Sequence, residues 1–389
     1  MLVYYISPST VPSRSANSIH VINMCEGLVQ LGYKVVLFAR SDNSIKIESN
    51  KFIDQFYGIN SDDIDLNRYS SKTTKGIELF IAIFAFVKFL IDSSKGLAPQ
   101  IIISRNIYAS LLFGLLLRKK VIYETHSPEF GFRKKIQKML LSSSKIYTVV
   151  ISNALKRIIC KSHSLTNGER IYIFHDAARE GFLKLNNLER KAQRKKVIGR
   201  KIDLRKYKKF IGYFGHLYSG RGIELIRNIA KKNPKYAFLV YGGNEKEIKK
   251  CKEDNSIENL FIMGYISPNL VHCTMEVMDI LLMPYQKSVS VGVEGVDTAG
   301  WMSPMKMFEY MSTGVPIVSS DLQVLREVLV NSENCLLVKP DDINEWSNAV
   351  QQIAMDVDLA KKIGNNAYSE YSGRYNWKYR AACMINLLS

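Results

Sequence analysis

The residues of this sequence best suited to chemistry lie in the stretch from Ser303 to Asp321, S-P-M-K-M-F-E-Y-M-S-T-G-V-P-I-V-S-S-D. Lys306 and Glu309 are three residues apart, so on a helix they share one side of its first turns. A helix N-terminus with a lysine in its first turn attracts anions, because free N–H groups and the helix dipole favour negative charge there. A carboxylate one turn further on can accept hydrogen bonds from two hydroxyl groups. The stretch therefore predicts a phosphate bound beside a ribose.

The same stretch is predicted to form a helix, a turn and a strand. Ser303 is a favourable N-cap, and Pro304 suits the first helical position. The helix has one apolar face, formed by residues spaced at i, i+3 and i+6: Met305, Phe308 and Met311. Gly314 is expected to end the helix, and the apolar run 315–318 to begin a strand.

This stretch resembles the donor-binding signature of a known family, the retaining nucleotide-sugar glycosyltransferases of "group 1" (family 4-like), which have the GT-B fold and build bacterial surface polysaccharides. The resemblance implies that Glu309 holds the donor ribose and that Ser303 and Lys306 lie beside the donor phosphates. Many members carry a second glutamate eight positions earlier, in contact with the donor sugar. That position is Trp301 here, so the sugar contacts of those members do not transfer to this chain.

Length, net charge and cysteine content narrow the class of protein to which this chain can belong. A chain of 389 residues suits two domains of roughly 150–200 residues each. The formal net charge of +18 favours anionic binding partners: nucleic acid, an anionic membrane surface or phosphorylated substrates. The six cysteines are scattered without C-x-x-C spacing, which argues against a zinc site or a disulfide framework and suits a reducing cytoplasm. The N-terminus lacks a charged region before its apolar run and is predicted to be a strand, not a signal peptide.

The chain opens with a predicted strand at 2–6, a helix at 19–31 and a strand at 34–39. This is the first βαβ unit of a doubly wound domain. The loop between the first strand and the helix lacks G-x-G-x-x-G. In the family that the signature resembles, this loop lies near the donor pyrophosphate, and Ser15 and Ala16 are small enough to let backbone approach it. An ordinary surface loop is the alternative.

A histidine follows the predicted buried strand at 121–123, in the sequence Glu124-Thr125-His126. Ligands of open α/β sheets bind at the carboxyl ends of strands. Members of the resembling family place a histidine after this strand, facing the donor sugar. His126 is therefore predicted to hydrogen-bond a sugar hydroxyl or the group forming at the anomeric carbon, without acting as nucleophile. A purely structural histidine is the alternative.

Two further segments of the first half bear on membranes. Residues 77–91 are strongly apolar but too short for a span of about 20 residues, so they are predicted to form a buried helix. Residues 130–141 give a helix with one apolar face and one basic face, the latter formed by Arg133, Lys134, Lys135 and Lys138. Such a helix can lie on anionic lipid or bind the acceptor. The alternative is that the basic face is simply solvated while the apolar face packs on the domain core.

The second half repeats the α/β pattern after a basic segment. A strand at 210–214 is followed by the glycine-rich loop 215–222, which begins at Gly215 and contains Arg221-Gly222. Glycines let backbone approach a phosphate, and an arginine can contact two of its oxygens. In the family, a basic residue followed by glycine grips the donor diphosphate at this position. Tyr265 resembles the segment that holds the base, although packing would explain a tyrosine equally well.

These observations predict an α/β protein of GT-B architecture, with two doubly wound Rossmann-like domains facing across a cleft. The predicted parts are an acceptor-binding domain (1–183), a basic linker (184–209), a donor domain (210–370) and a closing helix that crosses back (371–389). The predicted catalytic residues are Arg221, Lys306 and His126. We expect front-face substitution assisted by the leaving phosphate, and no metal, because fixed cations can neutralise the diphosphate.

The expected partners are a nucleotide-sugar donor, a glycan or lipid-linked acceptor and an anionic membrane surface, without nucleic acid. The expected location is cytoplasmic, peripheral on the inner face of the plasma membrane, in capsule or lipopolysaccharide synthesis. Two alternatives stay open. A nucleotide-sugar epimerase of the same fold would need acid and base carboxylates in the cleft. A non-catalytic member would bind polyanions or membranes in a salt-sensitive manner.

Overall fold

A computed structural model describes residues 1–41, 50–70, 76–166, 168–180, 185–199, 202–253, 256–290 and 297–389. The chain divides into two compact units. The first comprises Met1–Asp176 and Asn376–Ser389, and the second comprises Ala177–Tyr375. Each unit is a parallel sheet with helices, which confirms the predicted fold class.

The first unit contains a parallel sheet of seven strands. They are β1 (Leu2–Thr10), β2 (Lys34–Arg40), β3 (Ile64–Tyr69), β4 (Ile101–Ser104), β5 (Val121–Thr125), β6 (Ile146–Val150) and β7 (Ile171–Ile173). Their spatial order is β3-β2-β1-β4-β5-β6-β7. The order reverses next to β1, so this unit is doubly wound, and its ligand edge is the one at the carboxyl ends of the strands.

The connecting helices of this unit are α1 (Ala16–Val29), α2 (Asn50–Tyr57), α3 (Ile77–Ser94), α4 (Ile107–Ser110), α5 (Gly131–Leu141) and α6 (Asn153–His163). A π-helical turn, Leu111–Leu116, continues α4. One face of the sheet is covered by α3, α4, the π-helical turn and α5, whose apolar residues form a single core with β1, β2, β4, β5 and β6.

The second unit contains a parallel sheet of six strands. They are β8 (Lys209–Phe214), β9 (Tyr236–Tyr241), β10 (Leu260–Gly264), β11 (Ile280–Met283), β12 (Ile317–Ser320) and β13 (Leu336–Val338), in the order β10-β9-β8-β11-β12-β13. Its helices are α7 (Asn187–Val197), α8 (Ile223–Lys232), α9 (Glu245–Glu253), α10 (Pro268–Glu276), α11 (Met305–Thr313), α12 (Ile343–Met355) and α13 (Val357–Arg374), with a 3₁₀ turn at Leu325–Glu327. The last helix, α14 (Trp377–Asn386), belongs to the first unit.

The basic segment 184–209, predicted as a linker or exposed loop, contains the helix α7. Asn186 and Glu189 form a capping box at its start. Arg194 attaches the helix to the second unit through bonds of 2.8 Å to the carbonyl of Val277 and to Asp279. The sequence pattern missed this helix because its packing face is built largely from arginine stems instead of apolar residues.

Two predicted details of the helices are wrong. α11 begins at Met305, with Pro304 in an extended conformation at the N-cap position, so Ser303 does not cap the helix. α3 was predicted to be buried, yet only one face of it is buried, while apolar residues on its outer face are exposed. Its sequence places apolar residues on two faces, so the pattern could not show that only one of them meets the sheet. In the described parts of the chain, no helix is both long and apolar enough to cross a membrane.

The contact between α1 and α14 yields a stability test. A Cβ at Gly27 would lie 2.6 Å from the backbone oxygen of Trp377, which is closer than packed atoms approach. We expect Gly27→Ala to lower the free energy of unfolding by about 1–3 kcal/mol, measured by urea denaturation, because α14 must shift. Gly373→Ala in α13 is the matched control, since nothing lies within 4 Å of its Cβ position. That variant should be neutral or more stable by up to about 1 kcal/mol. Equal effects of the two substitutions would contradict the packing described for α14.

Candidate functional site

In the second unit, Gly215, Lys306 and the rings of Tyr213 and Tyr285 lie together where β8 and β11 end. Gly215 follows β8 with a φ of +147°, and a Cβ there would lie 2.6 Å from Nζ of Lys306. A larger residue there would displace the ammonium group of Lys306 from this position. Nζ lies 3.9 Å from the ring centroid of Tyr213 and 5.3 Å from that of Tyr285. The two aromatic faces stabilise the ammonium group and direct it to this edge of the sheet.

Arg221 reaches the same place from the glycine-rich loop. Its Nη1 donates to the hydroxyl of Tyr285 at 3.0 Å, and its Nη2 donates to the carbonyl of Ser290 at 3.2 Å. Its guanidinium carbon lies 5.2 Å from the centroid of the Tyr285 ring. Tyr285 is therefore in contact with both cations. Because the arginine is held at two points, its position does not depend on a ligand.

The electrostatics of this cluster favour an anion. Burial, reinforced by the charge of Arg221 and opposed by Glu309, lowers the pKa of Lys306 well below its ordinary value. Within the described residues, neither Arg221 nor Lys306 forms an ion pair with a carboxylate. Two like charges that converge without a counterion are unfavourable, and a bound anion relieves both their repulsion and the desolvation of the lysine. The arrangement is chemically suited to binding an anion.

Glu309 lies one helical turn beyond Lys306. Burial raises the pKa of its carboxyl group, while Lys306 and Arg179 oppose that rise. Its side chain is partly accessible to solvent. A carboxylate in this position can accept hydrogen bonds from neighbouring hydroxyl groups of a ligand whose phosphate is held by the cations.

The other residues predicted for this site lie at different depths. Ser303 is buried just before the first turn of α11, and Tyr265, which follows β10, is about half exposed. His216 follows Gly215 and stacks on Tyr218, with ring centroids 4.8 Å apart. Burial, together with Arg221 and Lys306, lowers the pKa of His216 below its ordinary value, so the imidazole is neutral at pH 7. It can donate a hydrogen bond there but adds no charge.

In the first unit, the predicted histidine belongs to a buried ionic cluster. Oε1 of Glu124, at the end of β5, lies 2.9 Å from Nε2 of His126, 2.9 Å from Nε2 of His20 and 2.7 Å from Nη2 of Arg380. The hydroxyl of Tyr5 donates to Oε2 of Glu124 at 3.0 Å. Burial opposes ionisation, but Arg380 and His20 hold the pKa of Glu124 well below its ordinary value. The carboxylate is therefore ionised and accepts hydrogen bonds from its neighbours.

The state of His126 follows from this cluster. Burial and the charge of Arg105, opposed by the bond to Glu124, lower the pKa of His126 to about 4. The imidazole is neutral at pH 7. Because an ionised carboxylate only accepts, Nε2 carries the proton toward Glu124, which leaves Nδ1 as the acceptor nitrogen. A neutral imidazole held in one tautomer can orient a hydroxyl group but is a poor acid.

His20, His126 and Asp176 are the described residues whose arrangement could hold a metal ion, with ligand atoms within 4.8 Å of one another. Each of these side chains already faces an ionic partner. Nδ1 of His20 lies 3.0 Å from Asp176, and both histidines face Glu124, which Arg380 also contacts. The guanidinium group of Arg380 beside these residues disfavours a further cation.

Ser15 and Ala16 lie at the exposed N-terminus of α1, on the same edge of the first sheet. Ser15 caps the helix by accepting a bond from the N–H of Ser18 at 3.3 Å. Arg105, which follows β4, donates to Oδ1 of Asn17 at 3.2 Å. A helix N-terminus beside an arginine is a second place where negative charge is favoured.

The basic residues of α5 are not equivalent. Arg133 forms ion pairs with Glu129 at 2.6 Å and with Glu78 of α3 at 2.5 Å. Its charge is thus used within the unit, where it ties α5 to α3. Lys135 and Lys138 are exposed, and Lys134 is partly exposed.

Comparison with known proteins identifies the family. The family model described as "Glycosyl transferases group 1" matches residues 195–370, and the model "Glycosyltransferase Family 4" matches residues 18–168. The chain belongs to the group 1 glycosyltransferases. The two matches together cover most of each unit.

Individual relatives are distant. The O-antigen chain mannosyltransferase RfbU of Salmonella typhimurium is 29% identical over 93 residues, a match that covers 24% of this chain and 24% of that relative. The structure of HepE from Anabaena in complex with UDP-glucose has a TM-score of 0.70 and 14% identity, and the alignment covers 100% of this chain and 99% of that one. Sucrose-phosphate synthase from Thermosynechococcus elongatus has a TM-score of 0.69 and 16% identity, and the alignment covers 100% of this chain and 98% of that one. These structures establish the GT-B fold.

Sequence reasoning missed several residues of these clusters. Tyr213 and Tyr285 hold the two cations, and their only signal is an aromatic residue near the end of a strand. His20 and Arg380 surround Glu124 from helices at opposite ends of the chain. Nothing local in the sequence marks those two residues, because their roles depend on how α1 and α14 pack.

The predicted neutrality of His126 can be measured. We expect its imidazole resonance to titrate with a midpoint of about 4, identified by its loss in His126→Gln among the six histidines. The unfolded chain binds this proton near pH 6.5, so stability from this residue is complete above that pH and declines as pH falls toward 4. Urea denaturation across this range should show a shallower pH dependence in His126→Gln than in the wild type. A midpoint near 6.5 would contradict the burial and charge environment described here.

Proposed function

We propose that this chain transfers a sugar from a nucleoside diphosphate donor to a hydroxyl acceptor with retention of configuration. The observation that carries the proposal is the convergence of Arg221 and Lys306 around Tyr285 without a carboxylate partner among the described residues. Family membership supports transferase activity. The relatives HepE, solved with UDP-glucose, and RfbU, a mannosyltransferase by name, are consistent with a nucleotide-sugar donor.

The cationic cluster suits the chemistry of the leaving group. Breaking the bond between the anomeric carbon and the diphosphate places new negative charge on the phosphate oxygens. Arg221 can contact two of these oxygens, Lys306 adds a point charge, and the N-terminus of α11 adds free N–H groups. Removing one such pre-positioned donor typically costs about 2.7–4 kcal/mol of barrier. Glu309 would hold the ribose, with Ser303, Gly215 and Tyr265 around the rest of the nucleotide.

Retention is the finer part of the proposal. We infer front-face substitution, in which the leaving phosphate accepts the proton of the acceptor hydroxyl as that hydroxyl attacks the same face of the sugar. His126 would contribute a neutral imidazole that hydrogen-bonds a sugar hydroxyl. The fixed cations neutralise the diphosphate, so we propose that the reaction does not require a metal ion.

The acceptor is proposed to be a glycan or a lipid-linked precursor of a surface polysaccharide, handled at the inner face of the plasma membrane. The name of the relative RfbU, an O-antigen chain mannosyltransferase, and the charge of +18 support this choice. Of the α5 residues assigned to the membrane or the acceptor, Lys134, Lys135 and Lys138 are the candidates, because Arg133 is already ion-paired.

The donor site can be tested in two parts by calorimetric titration. We expect selective binding of one among UDP, GDP, ADP and CMP. Arg221→Ala and Lys306→Ala should weaken binding of that nucleotide and of inorganic pyrophosphate by about tenfold or more each, because both contact phosphate. Glu309→Gln should weaken binding of the nucleotide to a similar degree but leave binding of pyrophosphate unchanged, since the proposed partner of Glu309 is the ribose.

Lys362→Ala is the matched control for this titration, because Lys362 is exposed on α13, away from the cluster. If Glu309→Gln weakened binding of pyrophosphate as much as binding of the nucleotide, the assignment of Glu309 to the ribose would be contradicted. Absence of binding to every nucleotide, with circular dichroism showing a folded protein, would favour a non-catalytic member of the fold.

The reaction itself is tested with the donor selected by that titration. We expect release of nucleoside diphosphate only when acceptor is present, activity unchanged by chelator, and a product whose anomeric configuration by NMR equals that of the donor. Loss of activity with chelator and its return with Mn²⁺ would overturn the metal-free mechanism. Conversion of the donor to an epimeric nucleotide-sugar in the absence of acceptor would instead favour the epimerase alternative.

A further inference from the structure

The helix α3 is apolar on two faces. Its inner face packs in the core of the first unit through Ile77, Ile81, Ala82, Ala85 and Phe89. Its outer face carries seven large apolar residues that are 44–65% exposed: Leu79, Phe80, Ile83, Phe84, Val87, Leu90 and Ile91. A helix on the surface of a soluble domain normally carries polar residues on its outer face. This one therefore needs a different explanation.

The exposed residues form one continuous stripe. At about 100° per residue the seven positions fall within an arc of about 140°, and over twelve steps the stripe is about 18 Å long. The charged residues of α3 lie off this arc, and each has a partner: Glu78 pairs with Arg133, and Lys88 pairs with Asp92. Single exposed apolar residues are ordinary, but a contiguous stripe of this size marks an interaction surface.

The apolar surface continues beside α3 and is bordered by basic residues. The π-helical turn and α5 cover the same face of the sheet and add exposed Leu116, Phe132 and Met139. The lysines exposed on these elements or directly after them are Lys119, Lys120, Lys135 and Lys138. Nζ of Lys119 lies 5.8 Å from the centroid of the ring of Phe89, so this lysine reaches α3 from the side of its inner face.

We propose that this surface, formed by the outer stripe of α3 with the flanking residues of the π-helical turn and α5, docks into the head-group region of an anionic lipid bilayer. The helix would lie in the plane of the membrane, with its stripe in the upper acyl region and the lysines at the phosphates. The inference rests on the membrane-side location proposed above and adds the element that inserts.

Charge complementarity favours a bilayer over a second copy of the chain. Exposed lysines lie on the elements that flank α3 or directly after them, and the chain carries a net charge of +18, so pairing two such surfaces would bring like charges together. A bilayer with anionic head groups meets both requirements at once. It accepts apolar side chains, and it attracts each nearby lysine electrostatically.

The experiment measures binding of the full chain to sedimented vesicles of phosphatidylcholine, with and without phosphatidylglycerol. We expect binding to the anionic vesicles, and a decrease in the partition coefficient of at least about tenfold in Phe80→Asp/Val87→Asp, since both positions lie within the stripe. The matched control is Met355→Asp/Val357→Asp, because those exposed apolar residues belong to the second unit. Its binding should equal that of the wild type. Lys135→Glu/Lys138→Glu should weaken binding only to the anionic vesicles.

Insertion is separated from adsorption by a second variant. Phe80→Trp should gain tryptophan fluorescence that brominated acyl chains quench, whereas Met355→Trp should not. Unchanged vesicle binding in Phe80→Asp/Val87→Asp, or no quenching of Phe80→Trp, would overturn the proposal. So would a wild-type dimer in sedimentation that the stripe variant dissociates while vesicle binding is unchanged. Nucleotide titration of the same variants reports on the donor site independently, so failure of one proposal does not imply failure of the other.

Discussion

The first unit depends on one buried charge, the carboxylate of Glu124. Removing a carboxylate and a guanidinium group from water costs several kcal/mol for each ion, and this cost is recovered only when geometry and hydrogen bonds are nearly complete. Here Arg380, His20, His126 and Tyr5 all contact Glu124. The consequence is that α1, α14 and the end of β5 must meet at one point. Loss of either partner of the Glu124–Arg380 pair would leave a buried charge unbalanced.

The second unit presents the opposite arrangement. Lys306 and Arg221 share Tyr285 as a neighbour, and in the described part of this unit no carboxylate pairs with either of them. The first cluster contains its own counter-charges and holds a histidine in one tautomer. The second has no such carboxylate partner, and in the proposed function the donor diphosphate would supply the negative charge.

The helices α3 and α7 show what a sequence pattern can predict and what it cannot. The alternation of strands and helices predicted two doubly wound sheets because the period of apolar residues reflects local geometry. The same reasoning placed α3 correctly as a helix but described it as buried, because the pattern cannot say which of two apolar faces meets a neighbour. For α7 the error was the reverse. Arginine stems replaced apolar residues at the packing face, so the segment resembled a linker.

The sequence by itself determined the family and the doubly wound fold of both units, because these depend on short motifs and on the local period of apolar residues. The same motifs predicted Glu309, Lys306 and Arg221 as site residues, because spacing along the chain places them. Only the tertiary structure decided that Tyr213 and Tyr285 hold the cations, that Arg133 is already paired, and that Arg380 meets Glu124. Those contacts join residues far apart in the chain. Their existence depends on which sheet edges and helix faces come together, and no local pattern encodes that.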